Sequence, residues 1–198
     1  MGFFVVLEGL DQSGKKTQAS VLHSKLSNRG IGTKIISFPD YSTPIGGEIK
    51  EFLSGTKMFS PMVRQILFAA NRWERRESIE RWLHDGKVVI ADRYVGSGLA
   101  YGLANDLELE WMKSLEEGLP VPNVVILIDA PVSVVLKRKD LIDRDVYESD
   151  KEFLEKVRGA YHRLAKEYNW RVVPGNLSVE SISEKIWGIV APYVGGEI

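Results

Sequence analysis

Short apolar runs alternate with longer amphipathic stretches along this 198-residue chain. The apolar runs are rich in β-branched residues and nearly continuous in hydrophobicity, which is typical of strands covered on both faces. They predict five strands, at Phe3–Leu7, Thr33–Phe38, Val88–Ala91, Val124–Ile128 and Arg171–Val173. The alternation of strands and helices predicts an α/β fold, a parallel sheet with helices on both faces.

The longest predicted helix begins at Ser60-Pro61, where a capping hydroxyl precedes a proline at the first helical position, and it ends near Gly86. Within it, Ile66, Ala70 and Trp73 recur at i, i+4 and i+7, so we expect them to face the core. The other predicted helices are Lys15–Asn28, Ile45–Leu53, Leu107–Glu117, Val132–Lys139, Lys151–Tyr168 and Val179–Val190.

The composition is that of an ordinary soluble globular protein, with 44% hydrophobic and 27% charged residues. A formal net charge of -1 gives no indication of a nucleic-acid or membrane-surface partner. The absence of cysteine excludes disulfides, zinc–thiolate sites and a cysteine nucleophile. The apolar run at Phe3–Leu7 is too short for a membrane span or a signal sequence. We therefore expect a cytoplasmic protein whose residues 1–198 form one domain.

The loop after the first strand has the pattern of a phosphate-binding loop. It consists of Gly9, Leu10, Asp11, Gln12, Ser13, Gly14, Lys15, Lys16 and Thr17. Gly9 and Gly14 permit a tight turn whose backbone N–H groups point inward, and Lys15 can reach the β- and γ-phosphates of a nucleotide. The alternative is a glycine-rich turn with a solvated lysine. The strand before the loop and the helix after it favour phosphate binding.

One position of this loop departs from the common pattern. A serine or threonine that ligates Mg²⁺ usually follows the lysine directly, but here that residue is Lys16 and the hydroxyl belongs to Thr17. One residue turns a side chain by about 100° around a helix, so Thr17 cannot simply replace the missing ligand. We therefore expect a weaker or less usual dependence on Mg²⁺.

The loops after the second and third strands offer further polar and aromatic groups. Phe38-Pro39 ends one strand, and taken by itself this pair favours a simple strand-ending turn. Asp92-Arg93 ends the next strand opposite the phosphate loop, where an acid and a base suit metal-bound water and phosphate. A structural salt bridge is the alternative there.

Two other segments have a possible role in binding. Phe68 and Arg72 lie at i and i+4 on the long helix, so an aromatic ring and a bidentate donor could hold a base between them. A dimer face or a surface arginine over an aromatic ring is the alternative. The charged segment at about 138–148 is either a solvated loop or a lid that brings arginines onto a transferring phosphoryl group.

In their order and spacing, these segments resemble the thymidylate kinase family over essentially the whole chain. The matching segments are Leu7–Gln18, Phe38-Pro39, Phe68–Glu74, Asp92–Tyr94 with Ser97-Gly98, and the basic segment that ends at Tyr147-Glu148. The resemblance implies a P-loop NTPase three-layer sandwich with a five-stranded parallel sheet. It also implies ATP and Mg²⁺ as cofactors, phosphoryl transfer from ATP to dTMP, and a homodimer.

The resemblance also assigns roles to residues. Lys15 and Arg93 would be catalytic, Asp92 would order the water shell of Mg²⁺, and the whole phosphate loop would hold ATP. The substrate-binding residues would be Asp11, Phe38, Pro39, Tyr41, Phe68, Asn71, Arg72, Arg93, Ser97, Gly98, Tyr101 and Tyr147. Asp11 would contact the sugar 3′-hydroxyl, Phe68 would stack on thymine, and Arg72 would donate to its carbonyl edge.

Two departures from the family pattern affect charge. Tyr41 stands where many relatives have an arginine that contacts the monophosphate, and Gln12 stands where some have an arginine in the phosphate loop. The basic segment must then supply the catalytic arginine, and Arg144 and Arg138 are its candidates, with Arg144 slightly favoured.

Two alternatives to a kinase for dTMP stay open. One is a kinase for another nucleotide or nucleoside, such as dUMP. The other is a nucleotide-dependent switch or binding module with weak kinase activity. The sequence contains no Asn-Lys-x-Asp guanine motif, which counts against a GTPase.

Overall fold

The computed structural model describes residues 2–138, 147 and 150–195. Five parallel strands form one sheet in the order β2-β3-β1-β4-β5. Their bounds are β1 Phe3–Glu8, β2 Thr33–Ser37, β3 Val88–Asp92, β4 Val124–Asp129 and β5 Arg171–Pro174. Each strand agrees with its predicted position to within one residue at either end, so the predicted α/β fold with a parallel sheet is confirmed.

Helices connect the strands and cover both faces of the sheet. Their bounds are α1 Lys15–Ser27, α2 Pro44–Leu53, α3 Pro61–Trp73, α4 Arg76–His84, α5 Val95–Ala104, α6 Leu109–Glu116, α7 Val132–Val135, α8 Lys151–Glu167 and α9 Val179–Val190. A short 3₁₀ helix follows at Ala191–Tyr193. Ser60 caps α3 by accepting a hydrogen bond from the backbone of Val63, as the sequence predicts.

The two faces of the central strand β1 belong to different cores. Val5 and Leu7 pack on the side covered by α1 and α9, together with residues such as Leu22 and Ile186. Phe4 and Val6 point to the opposite side, because successive side chains of a strand alternate between its faces. That side is covered by α4, α5 and α8. The layers are therefore helix, sheet and helix, as in a P-loop NTPase sandwich.

The long helix predicted from Ser60 to Gly86 is two helices, α3 and α4. Arg75 lies at the break, where its Nε is 2.6 Å from Asp40 Oδ2 and its Nη2 donates to Ser42 Oγ at 2.8 Å. These contacts with the loop after β2 are tertiary, and tertiary contacts outweigh the local preference for a continuous helix.

The prediction that Ile66, Ala70 and Trp73 face the core was wrong. Ile66 and Trp73 are 47% and 36% exposed, whereas Gln65, Ala69 and Arg72 are buried. The inward face therefore follows the same i, i+4, i+7 spacing, but one residue earlier. The apolar pattern could not show this because the helix turns its polar face toward a cavity inside the protein.

Helix α5 was not predicted, because its three glycines are typical of a loop. The structure explains all three by close packing, since a Cβ on Gly102 would clash with Met112 Sδ. A Cβ on Gly96 would lie 2.6 Å from the ring of Trp170 and 2.8 Å from Glu8 Oε1, and one on Gly98 would lie 2.6 Å from Arg72 Nη2. Within the described part of the chain, no helix has the length and apolar character that a membrane span requires.

Candidate active site

The phosphate loop connects β1 to α1 in a tight turn. Gly9 and Gly14 have φ angles of 142° and 102°, which glycine adopts without strain. A Cβ on Gly9 would also lie 2.5 Å from the carbonyl oxygen of Ile128, so the close approach to β4 requires glycine. The loop ends at the N-terminus of α1, whose free N–H groups and dipole favour an anion.

Lys15 is the buried cation of this loop. Its Nζ donates to the carbonyl oxygen of Leu10 at 2.7 Å, which holds the side chain across the loop. Burial, together with the nearby charge of Arg93, lowers the pKa of Lys15 to about 8, although Asp11 and Asp92 oppose the shift. A bound polyphosphate would favour the charged form, so Lys15 is placed to respond to a nucleotide.

Arg93 lies at the carboxyl end of β3 and connects the phosphate loop to α5 and α8. Its Nη1 donates to Ser97 Oγ and to the Tyr161 hydroxyl, both at 3.0 Å. Its Nη2 lies 2.7 Å from Asp11 Oδ1, and the Tyr101 hydroxyl donates to Asp11 Oδ2 at 3.2 Å. The backbone of Arg93 has a φ of 68°, and such strain is typical of functional sites.

Asp11 is held in its ionised form. Burial would raise the pKa of its carboxyl, but the charges of Arg93 and Lys15 outweigh burial and hold that pKa well below its usual value. The site therefore contains a fixed carboxylate beside two cations.

Glu8, the last residue of β1, holds the beginning of α5 in place through hydrogen bonds. Its carboxylate accepts hydrogen bonds from the backbone N–H groups of Tyr94 and Ser97 at 3.0 Å, and from Ser97 Oγ at 2.5 Å. Burial raises the pKa of Glu8, and these hydrogen bonds oppose the shift. Glu8 thereby fixes Ser97, which in turn contacts Arg93.

A cavity opens beside the phosphate loop, between α3 and α5. All the residues that the sequence predicted to bind substrate line it: Asp11, Phe38, Pro39, Tyr41, Phe68, Asn71, Arg72, Arg93, Ser97, Gly98, Tyr101 and Tyr147. Aromatic rings and a few polar groups converge there, as in sites for small molecules. Arg93 and Asp11 form the end of the cavity that adjoins the phosphate loop.

Arg72 is fixed in this cavity by an ion pair that the sequence did not predict. Its Nε donates to Glu116 Oε2 at 2.9 Å, and its Nη2 contacts Glu116 Oε1. The two side chains are only 3% and 5% exposed. Removing one partner of such a pair leaves an uncompensated buried charge, so Glu116 determines where the guanidinium of Arg72 lies.

Asn71, which the sequence predicts to bind substrate, also makes hydrogen bonds within the protein. The amide of Asn71 holds the loop after β2: its Oδ1 accepts from the backbone of Asp40 at 2.8 Å, and its Nδ2 donates to Thr43 Oγ1 at 2.8 Å. Tyr41 is half-exposed at the cavity wall. Asn71 therefore supports the cavity wall through the loop that carries Tyr41.

Of the two arginines predicted to be catalytic in the lid, Arg138 and Arg144, the structure describes Arg138. Arg138 donates to the backbone carbonyl oxygens of Gln12 at 2.9 Å and Gly175 at 3.0 Å, so it contacts the phosphate loop from the outside. Arg144 lies outside the described residues. Arg158 was not predicted; it pairs with Asp129 at the carboxyl end of β4, with Nε 2.7 Å from Oδ1.

The donor set fits Mg²⁺ held mainly through water and nucleotide phosphate. Asp92 Oδ1 is buried and has no hydrogen-bond partner among residues 2–138, 147 and 150–195. The same residues contain no cluster of three metal-ligating side chains. Lys16 and Thr17 are both exposed beside Lys15. Asp92 is therefore available to order a water on a nucleotide-bound cation.

Several site residues were missed at the sequence level: Glu8, Gln65, Glu116, Arg158 and Tyr161. Most of them act through partners far away in the chain, which no local pattern reveals. Gln65 is the exception, because it lies at i−3 from Phe68 and i−7 from Arg72, on the helix face that those residues already indicated.

Comparison with known proteins shows which family the chain is similar to. The family model described as thymidylate kinase matches residues 7–186. The chain is 36% identical to the thymidylate kinase of Arabidopsis thaliana over 98% of its own length and 72% of that protein. It is 32% identical to the human thymidylate kinase, covering 93% and 88% of the two chains. A solved thymidylate kinase structure from Candida albicans superposes with a TM-score of 0.86 at 34% identity, over 96% of this chain and 92% of the other.

Proposed function

Because the chain belongs to the thymidylate kinase family, we propose that it transfers the γ-phosphoryl group of ATP to dTMP, giving dTDP and ADP. The observation that supports this most is the position of Arg93. It joins the phosphate loop, through Asp11, to a cavity lined by Phe68 and Arg72. Acceptor-dependent release of ADP with dTMP, together with detection of dTDP, tests the proposal.

In the proposed reaction an oxygen of the acceptor phosphate attacks the γ-phosphorus in line with the leaving ADP. That oxygen is already ionised, so no strong general base is needed. Lys15 on the donor side and Arg93 on the acceptor side stabilise the charge of the transferring group. The ion pair with Asp11 and the bonds to Ser97 and Tyr161 hold Arg93 in place.

The acceptor itself would lie in the cavity between α3 and α5. Phe68 stacks on the pyrimidine ring, and Arg72 donates to its carbonyl edge. Asp11, kept ionised, accepts from the sugar hydroxyl, while Tyr101 and Tyr147 form the wall around the sugar. Since Tyr41 carries no charge, acceptor phosphate binding depends strongly on Arg93.

Mg²⁺ would enter with ATP, and it would neutralise charge on the β- and γ-phosphates. Asp92 would order its water shell, in agreement with the unpartnered buried Oδ1. Arg144 or Arg138 would complete the charge around the phosphoryl group. The contact of Arg138 with the carbonyl of Gln12 supports a role for this residue in shaping the loop.

Restoring the usual hydroxyl should change the use of the metal. In Lys16→Ser, the new hydroxyl can ligate Mg²⁺ directly and the exposed charge of Lys16 is removed. We expect half-maximal activation at a Mg²⁺ concentration several-fold lower than in wild type, by about threefold or more. Activation curves at fixed ATP measure this, and superimposable curves would contradict it.

We also propose that the protein is a homodimer and acts in the cytoplasm. The absence of cysteine suits a reducing compartment. The outer face of α3, formed by Met62, Val63, Ile66 and Trp73, is apolar and exposed. A second copy of the chain packed against this face would bury it, and contiguous exposed apolar residues are typical of such interfaces.

A charge on the outer face of α3 should separate the two copies. For wild type we expect a mass in light scattering of twice the 22.3 kDa of one chain, and for Ile66→Glu the mass of a single chain. Val179→Glu, at an exposed apolar residue of α9 on the other side of the sheet, is the matched control and should stay dimeric. A dimeric Ile66→Glu variant would place the interface elsewhere.

A further inference from the structure

Gln65 has a buried amide that none of the proposed roles uses. The side chain lies on the inward face of α3, is 4% exposed, and lines the same cavity as Phe68 and Arg72. Its Nε2 has no hydrogen-bond partner among the residues that the structure describes. A buried polar group without a partner costs free energy, so its retention requires an explanation. A ligand in the cavity would provide the missing partner.

The position of this amide is defined by the glycines of α5. A Cβ on Gly98 would lie 3.2 Å from Gln65 Nε2 and 2.6 Å from Arg72 Nη2, so both nitrogens lie next to Gly98. A Cβ on Gly102 would lie 3.2 Å from Gln65 Oε1. The amide therefore lies against the backbone of α5 at these two glycines, and its nitrogen lies in the same part of the cavity as the guanidinium of Arg72.

Arg72 and Gln65 differ in how many of their hydrogen-bond donors already have a partner within the protein. Glu116 takes up Nε and Nη2 of Arg72, which fixes the guanidinium and its remaining donors. Gln65 is neutral, and its donor is unused. An amide donates from one end and accepts at the other, and here the donor end lies beside Gly98 and the acceptor end beside Gly102.

We propose that Gln65 is a second specificity-determining residue, which hydrogen-bonds the edge of the acceptor's pyrimidine base beside Arg72. The inference rests on the proposed function. A base with a ring N–H between two carbonyl groups offers both the acceptors and the donor that an amide complements. Cytosine presents an amino group and an unprotonated ring nitrogen at this edge, so it faces Arg72 donors without a matching carbonyl and is disfavoured.

Gln65→Met tests the proposal, because methionine has a similar length but no donor or acceptor. The KM for dTMP should rise by about tenfold or more, while the KM for ATP stays unchanged. The inhibition constant of dCMP, measured in competition with dTMP, should change much less. The ratio of the dCMP inhibition constant to the KM for dTMP should therefore fall by about tenfold.

Gln18→Met is the matched control, since Gln18 is equally buried but its Nε2 donates to the carbonyl oxygen of Val179 outside the cavity. That variant should keep the wild-type ratio, whatever its effect on stability. If Gln65→Met leaves the ratio unchanged, or raises both constants equally, Gln65 is only structural and the inference fails while the proposed function stands. A wild-type protein without activity on dTMP would overturn both.

Discussion

Replacing Lys15 with methionine is expected to lower kcat by about 10³-fold or more, because the loop then lacks the cation that we propose contacts the transferring phosphoryl group. The substitution should slow phosphoryl transfer and should leave the stability of the fold nearly unchanged. Burial disfavours the charged form of Lys15, and a methionine of similar length fills the same space. Steady-state kinetics and a thermal unfolding curve, measured on the same preparation, separate the two effects.

Lys25→Met provides a matched control at the other end of α1. Its ammonium group lies over the ring of Trp187, far along the helix from the phosphate loop. This change should leave kcat within about twofold, as is usual for surface substitutions. A Lys15→Met variant that retains a tenth of the wild-type kcat would show that another group carries the donor-side charge.

The second large effect is expected at Arg93. Arg93→Met removes the cation that we propose lies between donor and acceptor, and it should lower kcat/KM for dTMP by about 10³-fold. Asp11 then loses its main partner, so a thermal unfolding curve measured on the same preparation separates a loss of stability from a loss of catalysis. Kinetics with dTMP varied at saturating ATP measure the change.

Arg93→Lys distinguishes charge from geometry. Lysine keeps the charge but cannot contact Ser97, Tyr161 and Asp11 at once through a planar fork. We expect it to recover only part of the activity, about a tenth of wild type or less. Full activity of Arg93→Lys would mean that the fork of hydrogen bonds has no role in catalysis.

The sheet and the phosphate loop could be predicted because their signals are local. Continuous apolar runs such as Val5–Leu7 mark strands buried on both faces, and two glycines with a lysine between a strand and a helix mark the loop. Because β1 and β3 are parallel, Asp11 and Arg93 both lie at the carboxyl ends of the strands. This explains why residues far apart in sequence line one cavity.

The orientation of α3 and the existence of α5 could not be predicted in this way. Both depend on the cavity between them, which is a tertiary feature. It turns Gln65 and Arg72 inward and leaves Ile66 exposed, and it requires Gly98 for close approach to Arg72. The partner of Arg72, Glu116, lies 44 residues away and has no local signal.

The proposed transfer from ATP to dTMP is tested most directly by coupled ADP release with purified protein, Mg²⁺ and a panel of dTMP, dUMP, dCMP and dGMP. We predict that dTMP gives the highest kcat/KM and that each ADP is matched by one dTDP. Release of ADP without an acceptor, or a clear preference for a different monophosphate, would contradict the proposed function.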